Sequence, residues 1–180
     1  MDIFNTCCSI NTHLSDGDEK KARNLLIHLL DYLEEKNIPY PPLVNHLIRK
    51  TGLYPYIRTE TSDWQDRFVY EAFQVDTGDT KYVTLHREQS ALLKELLNGK
   101  NIAVSAPTSF GKSFVIDAFI ALKRPKNVVV IVPTIALTDE TRRRLYKKFS
   151  LEYKIITTPD IELGARNIMI FPQEPSISDG

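Results

Sequence analysis

Two patterns of apolar residues divide the chain. From about residue 14 to residue 77, apolar side chains recur every three or four positions, which is typical of amphipathic helices. The clearest stripe predicts a helix with the apolar positions Ala22, Leu25, Leu26, Leu29, Leu30 and Leu33. Asp16 and Glu19 have the spacing of a capping pair before this helix, and Asn37 and Pro39 are stop signals after it.

Two more helices are predicted in this first region. One follows Pro42 and ends before Gly52, with the apolar positions Leu43, Val44, Leu47 and Ile48. The other starts at Asp63 and turns its apolar side chains inward: Trp64, Phe68, Val69, Ala72 and Phe73. Aromatic residues at this spacing can form a platform on which bases stack. They are more often part of a core, and we predict a core here.

After a turn around Gly78, short and solidly apolar runs alternate with helical patterns. The predicted helices are 87–98, 113–122 and 135–149, and the predicted strands are 101–105, 128–132, 153–156 and 168–171. Apolar strands that alternate with helices imply a parallel sheet covered on both faces. The predicted fold class is therefore α/β, a partial parallel sheet preceded by a small all-helical domain. The predicted domains are residues 1–79 and residues 80–180.

The composition is that of an ordinary globular protein, with 42% hydrophobic and 26% charged residues. No apolar run approaches the roughly 18 residues of a membrane span, and the start of the chain lacks a signal-peptide pattern. We expect a cytoplasmic protein with no membrane partner. Cys7 and Cys8 are adjacent, which predicts free thiols in a loose N-terminus. His28 and His46 have no partner at ligand spacing, so we assign them no metal.

The net charge of zero conceals an uneven distribution along the chain. Residues 1–80 contain 8 lysines and arginines against 13 acidic residues, and residues 151–180 contain 2 against 5. Residues 81–150 contain 13 against 5, a net charge of +8. A basic segment is what a polyanionic partner would select. A solvated helix face would give the same count.

Residues 101–113, NIAVSAPTSFGKS, join an apolar run to a helical pattern through a loop of small residues. Strand, loop and helix in this order are what a phosphate-binding loop requires. Backbone N–H groups must converge on phosphate oxygens, so the loop side chains stay small and Gly111 allows close approach. Lys112 would place a positive charge on the β- and γ-phosphates, and Ser113 would give its hydroxyl to Mg²⁺. We predict Lys112 as the catalytic residue.

The nucleotide site is assigned as a set to Ala106, Pro107, Thr108, Ser109, Phe110, Gly111, Lys112 and Ser113. Ala106 stands where the standard pattern G-x-x-x-x-G-K-[ST] has its first glycine. The alternative at this point is an ordinary strand-to-helix turn that carries a lysine.

An alanine in place of the first glycine, as at Ala106, is itself typical of one group of nucleotide-binding proteins. APTSFGKS, residues 106–113, resembles motif I of superfamily-two helicases of the DEAD/DEAH-like type. Upstream, Gln89 resembles the glutamine that reads the adenine edge in this superfamily. Downstream, VVVIVPTIALTDETRRRL resembles motif Ia, and Pro133 and Thr134 carry that match. NIMIFPQE is similar to motif Ib through Pro172, Gln173 and Glu174.

The resemblance covers residues 82–174 and implies part of the first RecA-like domain of an ATP-dependent helicase or translocase. It implies ATP and Mg²⁺ as cofactors and single-stranded or duplex nucleic acid as partner, with little sequence preference. Pro133, Thr134 and Arg142 are the expected nucleic-acid contacts. The helical N-terminal region also resembles accessory segments in helicase subunits of bacterial antiphage defence systems. It is a candidate surface for a protein partner.

The acid motif that hydrolysis needs is absent from the sequence. In the helicases it reads D-E-x-[DH] at the end of a buried strand, but Asp139 and Glu140 lie in a helical pattern and are followed by Thr141 and Arg142. We therefore expect a chain that binds ATP without hydrolysing it efficiently and that forms the front part of a longer enzyme. Its sheet would be incomplete, and exposed apolar surface would favour self-association.

Two alternatives stay open. A regulatory module that binds nucleotide and never hydrolyses it would be complete as it stands, and would act on a protein partner through its helical N-terminus. A small-substrate kinase would need a substrate lid and an acid motif, and the sequence shows neither.

Overall fold

The computed structural model describes residues 1–158 and 161–173. These residues divide into two compact units. The helical unit contains Met1–Val75 and Tyr82–Phe110, and the sheet unit contains Asp76–Lys81 and the described residues from Gly111 onward. Within the described ranges, every helix is too short or too polar to cross a membrane.

The helical unit is built on the amphipathic stripe predicted from the sequence. Its helices are α1 (Ile3–Ser15), α2 (Glu19–Glu35), α3 (Pro42–Thr51), α4 (Trp64–Ala72) and α5 (Arg87–Leu97). A 3₁₀ turn spans Tyr54–Tyr56, and two short antiparallel strands are β1 (Gln74–Val75) and β2 (Val83–Thr84). Leu26, Leu29 and Leu33 of α2 are fully buried. The predictions of α2, α3 and α5 are confirmed.

The start of the chain is ordered, so the prediction of a loose N-terminus is wrong. Helix α1 begins after Asp2, whose side chain accepts a hydrogen bond from the Asn5 backbone at 3.0 Å. Cys7 and Ile10 are buried in the core of the helical unit, and this burial is what orders the segment. Burial also raises the pKa of the Cys7 thiol. Both cysteines are free, as predicted.

The cap of α2 also differs from the prediction. Asp18 is the N-cap, and its side chain accepts a hydrogen bond from the Lys21 backbone at 3.1 Å. The predicted pair of Asp16 and Glu19 does not form a capping box, because Asp16 instead ends α1. The two helices thus follow each other with almost no connecting loop.

Helix α4 forms where it was predicted, and Val69 and Phe73 pack against the core as predicted, but two of its aromatic residues do not. Trp64 is 74% exposed and Phe68 is 65% exposed, so their assignment to the core is wrong. The buried position of this helix is Asp66, whose Oδ1 lies 2.5 Å from Nε of Arg49. The core-facing side of α4 thus combines an ion pair with Val69 and Phe73.

Residues 82–110 pack with the N-terminal helices, although the predicted domain boundary lies at residue 79. The backbone N–H of Arg87 donates to the carbonyl of Gly52 at 3.0 Å. Arg87 also pairs with Glu19 of α2 at 2.6 Å, and Glu88 pairs with Arg23. These contacts hold the start of α5 against α2 and α3. The division into functional domains at residues 79 and 80 stays a prediction.

The sheet unit confirms the predicted α/β class. Its elements are α6 (Lys112–Lys123), β3 (Asn127–Val132), α7 (Ile135–Phe149), β4 (Lys154–Ile156) and β5 (Asn167–Pro172). The three strands are parallel in the order β3, β5, β4, which is the arrangement of a partial RecA-like sheet. Its core consists of Ile120, Leu145, Phe149, Tyr153, Ile168 and Ile170.

The predicted strand at 101–105 does not form. These residues have no regular secondary structure, and Ile102 and Val104 are 37% and 42% exposed. A strand needs a neighbour to receive its backbone hydrogen bonds. Among the described residues, the parallel sheet contains only β3, β4 and β5, and none of them pairs with this segment.

Candidate functional site

The first half of the phosphate-loop sequence lies in the helical unit. Thr108–Phe110 form a 3₁₀ turn, in which the backbone N–H of Phe110 donates to the carbonyl of Pro107 at 3.1 Å. Pro107, Thr108 and Ser109 are exposed. The turn therefore presents small side chains to solvent, and its role in phosphate binding stays a prediction.

The second half of the sequence opens helix α6 in the sheet unit. Gly111 is the N-cap with φ 75° and ψ 37°, a left-handed conformation that glycine adopts without strain. Lys112 is the first helical residue, and Ser113 is exposed. The first N–H groups of a helix lack carbonyl partners within the helix, and the helix dipole adds partial positive charge there. Such a helix start is a favourable place for an anion.

Gln89 is buried and tied to the first half of the loop. Gln89 is only 5% exposed. Its side-chain Nε2 donates a hydrogen bond to the carbonyl of Phe110 at 2.7 Å. Its Oε1 accepts from the backbone N–H of His86 at 2.9 Å, which secures the start of α5. The side-chain amide of Gln89 thus holds both the start of α5 and the turn at Thr108–Phe110. Its role in reading adenine stays a prediction.

A cavity of about 660 Å³ opens in the helical unit beside this turn. Pro107, Ser109 and Phe110 form part of its wall, and Tyr56 and His86 form another part. Burial lowers the pKa of His86 below its ordinary value, so the imidazole is neutral near pH 7. The sequence did not single out Tyr56 or His86, because no local motif joins positions so far apart in the chain.

Thr134, the predicted nucleic-acid contact, caps helix α7. Its Oγ1 accepts a hydrogen bond from the backbone N–H of Leu137 at 3.2 Å. At this carboxyl end of the sheet a cavity of about 270 Å³ is lined by Ile135, Thr138, Asp139, Arg142, Thr157 and Pro172. Ligands of parallel α/β sheets bind at this edge. Thr134 thus lies at the start of α7, and Arg142 lies in the middle of the helix, where it lines this cavity.

Most of the basic side chains of α7 have acidic partners. Arg142 and Arg143 each lie 2.7 Å from a carboxylate oxygen of Asp139. Hydrogen bonding from Arg142 holds the pKa of Asp139 below its ordinary value. Arg144 pairs with the buried Asp117 of α6, as does Lys148, whose side chain is 10% exposed.

Fewer cations of α7 are therefore free to contact phosphate than the number of basic residues suggests. Arg143 is 75% exposed at its side chain and is the most accessible of the paired arginines on α7. Lys147 has no ion pair within the described residues. These two side chains are the available phosphate contacts on this helix.

Of the remaining motif residues, all but Glu174 lie within the part of the chain that the structure describes. Asp139 and Glu140 lie within α7, so they do not end a strand, as the sequence indicated. Pro172 ends β5, and the backbone N–H of Gln173 donates to the carbonyl of Val132 at 2.7 Å. Glu174 lies outside the described residues.

Two family models match separate parts of the chain. Residues 1–67 match the Anti-bacteriophage protein B N-terminal domain, and residues 86–169 match the DEAD/DEAH box helicase model. Anti-bacteriophage protein B of Escherichia coli (strain K12) is 35% identical to the chain over 156 residues. This match covers 85% of the chain and 21% of the relative, so the chain spans about a fifth of that protein's length. No solved structure matches the chain.

Proposed function

We propose that this chain binds ATP through residues 106–113. Support comes from the match of residues 86–169 to the DEAD/DEAH box helicase model, beside the match of residues 1–67 to the Anti-bacteriophage protein B N-terminal domain. Mg²⁺ would accompany the nucleotide. We further propose that this site drives movement on nucleic acid and that this movement serves phage defence.

One observation carries the proposal. The sequence APTSFGKS ends at the start of α6 with Gly111 in the left-handed conformation, inside the segment that matches the helicase model. Lys112 and Ser113 then occupy the first two positions of the helix. In this arrangement Lys112 would neutralise phosphate charge, Ser113 would hold Mg²⁺, and the backbone would donate to phosphate oxygens. Gln89 would add a contact to adenine.

Substitution of Lys112 tests the nucleotide site. We expect Lys112→Ala to abolish measurable ATP binding by calorimetry with Mg²⁺, because a phosphate-loop lysine supplies the charge that the triphosphate needs. Lys123→Ala, at the exposed far end of α6, is the matched control and should bind like the unmodified chain. A parallel calorimetric titration with GTP tests whether the site selects adenine. Equal binding by the Lys112 variant and the unmodified chain would refute the site.

The acid pair Asp139–Glu140 lies in a helix, and no apolar strand of the sequence ends in such a pair. We propose that this chain alone holds ATP and turns it over no faster than the Lys112 variant does. Hydrolysis would require groups beyond this chain.

Nucleic acid is the second ligand that we propose, along helix α7 from its cap Thr134 through Arg142 to Lys147. Support comes from the helicase match, from the cavity at the carboxyl end of the sheet, and from the exposed cations Arg143 and Lys147. Contacts of this kind fix a phosphate backbone and read no bases. Little sequence preference is therefore expected.

Salt dependence measures how many of these contacts form. The affinity for an oligonucleotide should fall as salt rises, with a log–log slope of about 0.7 to 0.9 for each phosphate neutralised. Removing two cations in Arg143→Ala/Lys147→Ala should lower that slope by about 1.5. Lys20→Ala/Lys21→Ala, on α2, is the control pair. An unchanged slope in the α7 variant would exclude this face.

A further inference from the structure

We propose that the outward side of helix α4 is a docking surface for a partner protein, which presents an amphipathic helix with an apolar stripe flanked by lysine or arginine. Trp64, Phe68 and Glu71 define this surface, which we call the α4 face. It lies wholly within the helical unit. The proposal does not involve the nucleotide, so its outcome is independent of the proposed ATP binding.

The α4 face follows from the spacing of its residues along the helix. Trp64, Phe68 and Glu71 stand at positions i, i+4 and i+7, which lie on one side of an α-helix. Val69 and Phe73 lie on the other side and pack against the core of the helical unit. The core is therefore supplied from that other side, and the two aromatic side chains of the α4 face take no part in it.

These two aromatic side chains leave a large apolar area in contact with water. Trp64 is 74% exposed and Phe68, one turn later, is 65% exposed. From the usual size of such side chains, the two expose roughly 300 Å² together. Exposed apolar patches of this order often mark interaction sites. Tryptophan is also among the residues that contribute most binding energy in protein interfaces.

The charge around the α4 face is negative. Residues 59–75 contain four acidic side chains and one cation, Arg67. Nε of Arg67 donates to the carbonyl of Ser62 at 3.3 Å, so this cation is engaged locally. Glu71 is exposed and makes no ion pair with any residue that the structure describes. A nucleic-acid strand could stack its bases on the two rings, but its phosphates need cations, and this face offers a carboxylate instead.

The same charge favours a basic partner. A lysine or arginine opposite Glu71 would meet a carboxylate that no other cation engages. Apolar side chains of the partner would cover Trp64 and Phe68, as the apolar stripes of packed helices cover each other. An acidic partner would be repelled, because charges at an interface select the sign of the partner.

The area of the α4 face sets the strength of the contact. Roughly 300 Å² of aromatic surface is well below the roughly 800 Å² that each partner buries in a stable interface of standard size. A helix that covers only this face should therefore bind weakly and dissociate fast. A partner protein would need further contacts around the two rings to bind tightly.

Trp64 is the single tryptophan of the chain, so its fluorescence reports on this surface alone. The experiment selects binders of the full chain from a displayed library of helical peptides of about 15 residues, the length at which isolated helices become marginally stable. We expect the enriched peptides to combine an apolar stripe with a net positive charge. Their binding should shift the Trp64 emission to the blue, because the peptide removes water from the ring.

Three variants test the residues of the face and the specificity of the contact. Phe68→Ala should weaken the binding of the selected peptides about tenfold or more, as expected for a central aromatic contact. Glu71→Lys should reverse the charge preference, so that acidic versions of the same peptides bind better than the basic ones. Phe4→Ala is the matched control, because Phe4 is a 68% exposed phenylalanine on α1. Circular dichroism should show the same helix content in all three, since the substituted side chains are exposed.

Other occupants of the α4 face are outcomes that refute the proposal. A selection that enriches no peptide, or peptides without positive charge, excludes a basic helix as the partner. Peptides that bind Phe68→Ala as tightly as the unmodified chain bind elsewhere. A single-stranded oligonucleotide that quenches Trp64 and loses affinity in Phe68→Ala would identify a platform for bases instead. A dimer that Trp64→Ala converts to a monomer in sedimentation velocity would show that a second copy of the chain covers this face.

Discussion

At the scale of single residues, Asp117 organises the charges of the sheet unit. Its side chain is 1% exposed and receives Arg144 on one oxygen, while Nζ of Lys148 lies 3.0 Å from the other. Lys148 also lies 5.8 Å from the centroid of the Phe114 ring. Both cations are therefore committed to the interior of this unit, and neither is available to a phosphate.

Replacing Asp117 by asparagine removes the negative charge and leaves two cations facing each other. Breaking a buried ion pair in this way costs about 3–5 kcal/mol. We expect a loss of that size in the free energy of unfolding of the sheet unit, measured by urea denaturation. Asp139→Asn is the matched control, because Asp139 also pairs with two cations, Arg142 and Arg143, but its side chain is 44% exposed. Exposed pairs contribute little, so equal losses in both variants would contradict this account.

At the scale of elements, Thr134 has a structural role as the N-cap of α7, independent of any ligand. Its hydroxyl accepts the Leu137 backbone N–H, and its carbonyl accepts the Thr138 hydroxyl at 3.1 Å. One of the free backbone N–H groups at the helix start is thereby satisfied by the cap. Thr134, which the helicase resemblance assigns to phosphate contact, therefore also stabilises the start of α7.

Two substitutions separate the roles of Thr134. Thr134→Ala removes the cap and should lower the free energy of unfolding by about 1 kcal/mol. Thr134→Ser keeps the hydroxyl and should be close to neutral for both stability and oligonucleotide binding. Thermal unfolding and fluorescence anisotropy measure the two effects. A serine variant that is stable but does not bind would show that the threonine methyl group, rather than the cap, makes the contact.

The elements also show how far the sequence could predict the fold. Helix α2 was predictable because every core position of its stripe is aliphatic. The outward position of Trp64 and Phe68 on α4 was not predictable, because the buried position of this helix is Asp66, whose Oδ1 pairs with Arg49 from another helix. Residues 101–105 have the composition of a strand, but a strand exists only with neighbours. The loop residues could be found by motif, whereas the cavity beside Tyr56 arises from tertiary packing.

At the scale of the whole molecule, the sheet has an apolar face that the described residues do not cover. Strand β3 is an edge strand, and along it Val129 is 58% and Ile131 is 67% exposed. Ile135, which follows at the start of α7, is 79% exposed. An open strand edge together with a large exposed apolar patch favours association.

We therefore expect the chain to self-associate as its concentration rises, which sedimentation velocity would detect. Ile131→Lys places a charge on the exposed face of β3 and should shift the chain toward the monomer. Leu151→Lys is the control, because Leu151 is fully exposed in a turn outside the strands. Association that is unaffected by Ile131→Lys would locate the contact elsewhere.

The position of β5 in the sheet has a consequence for the timing of synthesis. It is the last of the described strands in the chain, yet it lies between β3 and β4, and both pair with it. Neither can form its parallel hydrogen bonds until residues 167–172 have left the ribosome. Helices α1 and α2 need only each other to begin packing. The helices of the nascent chain can thus fold early. Strand β3 precedes β4 and β5, so it stays unpaired for the longest interval, and a chaperone would be most useful to the chain during that interval.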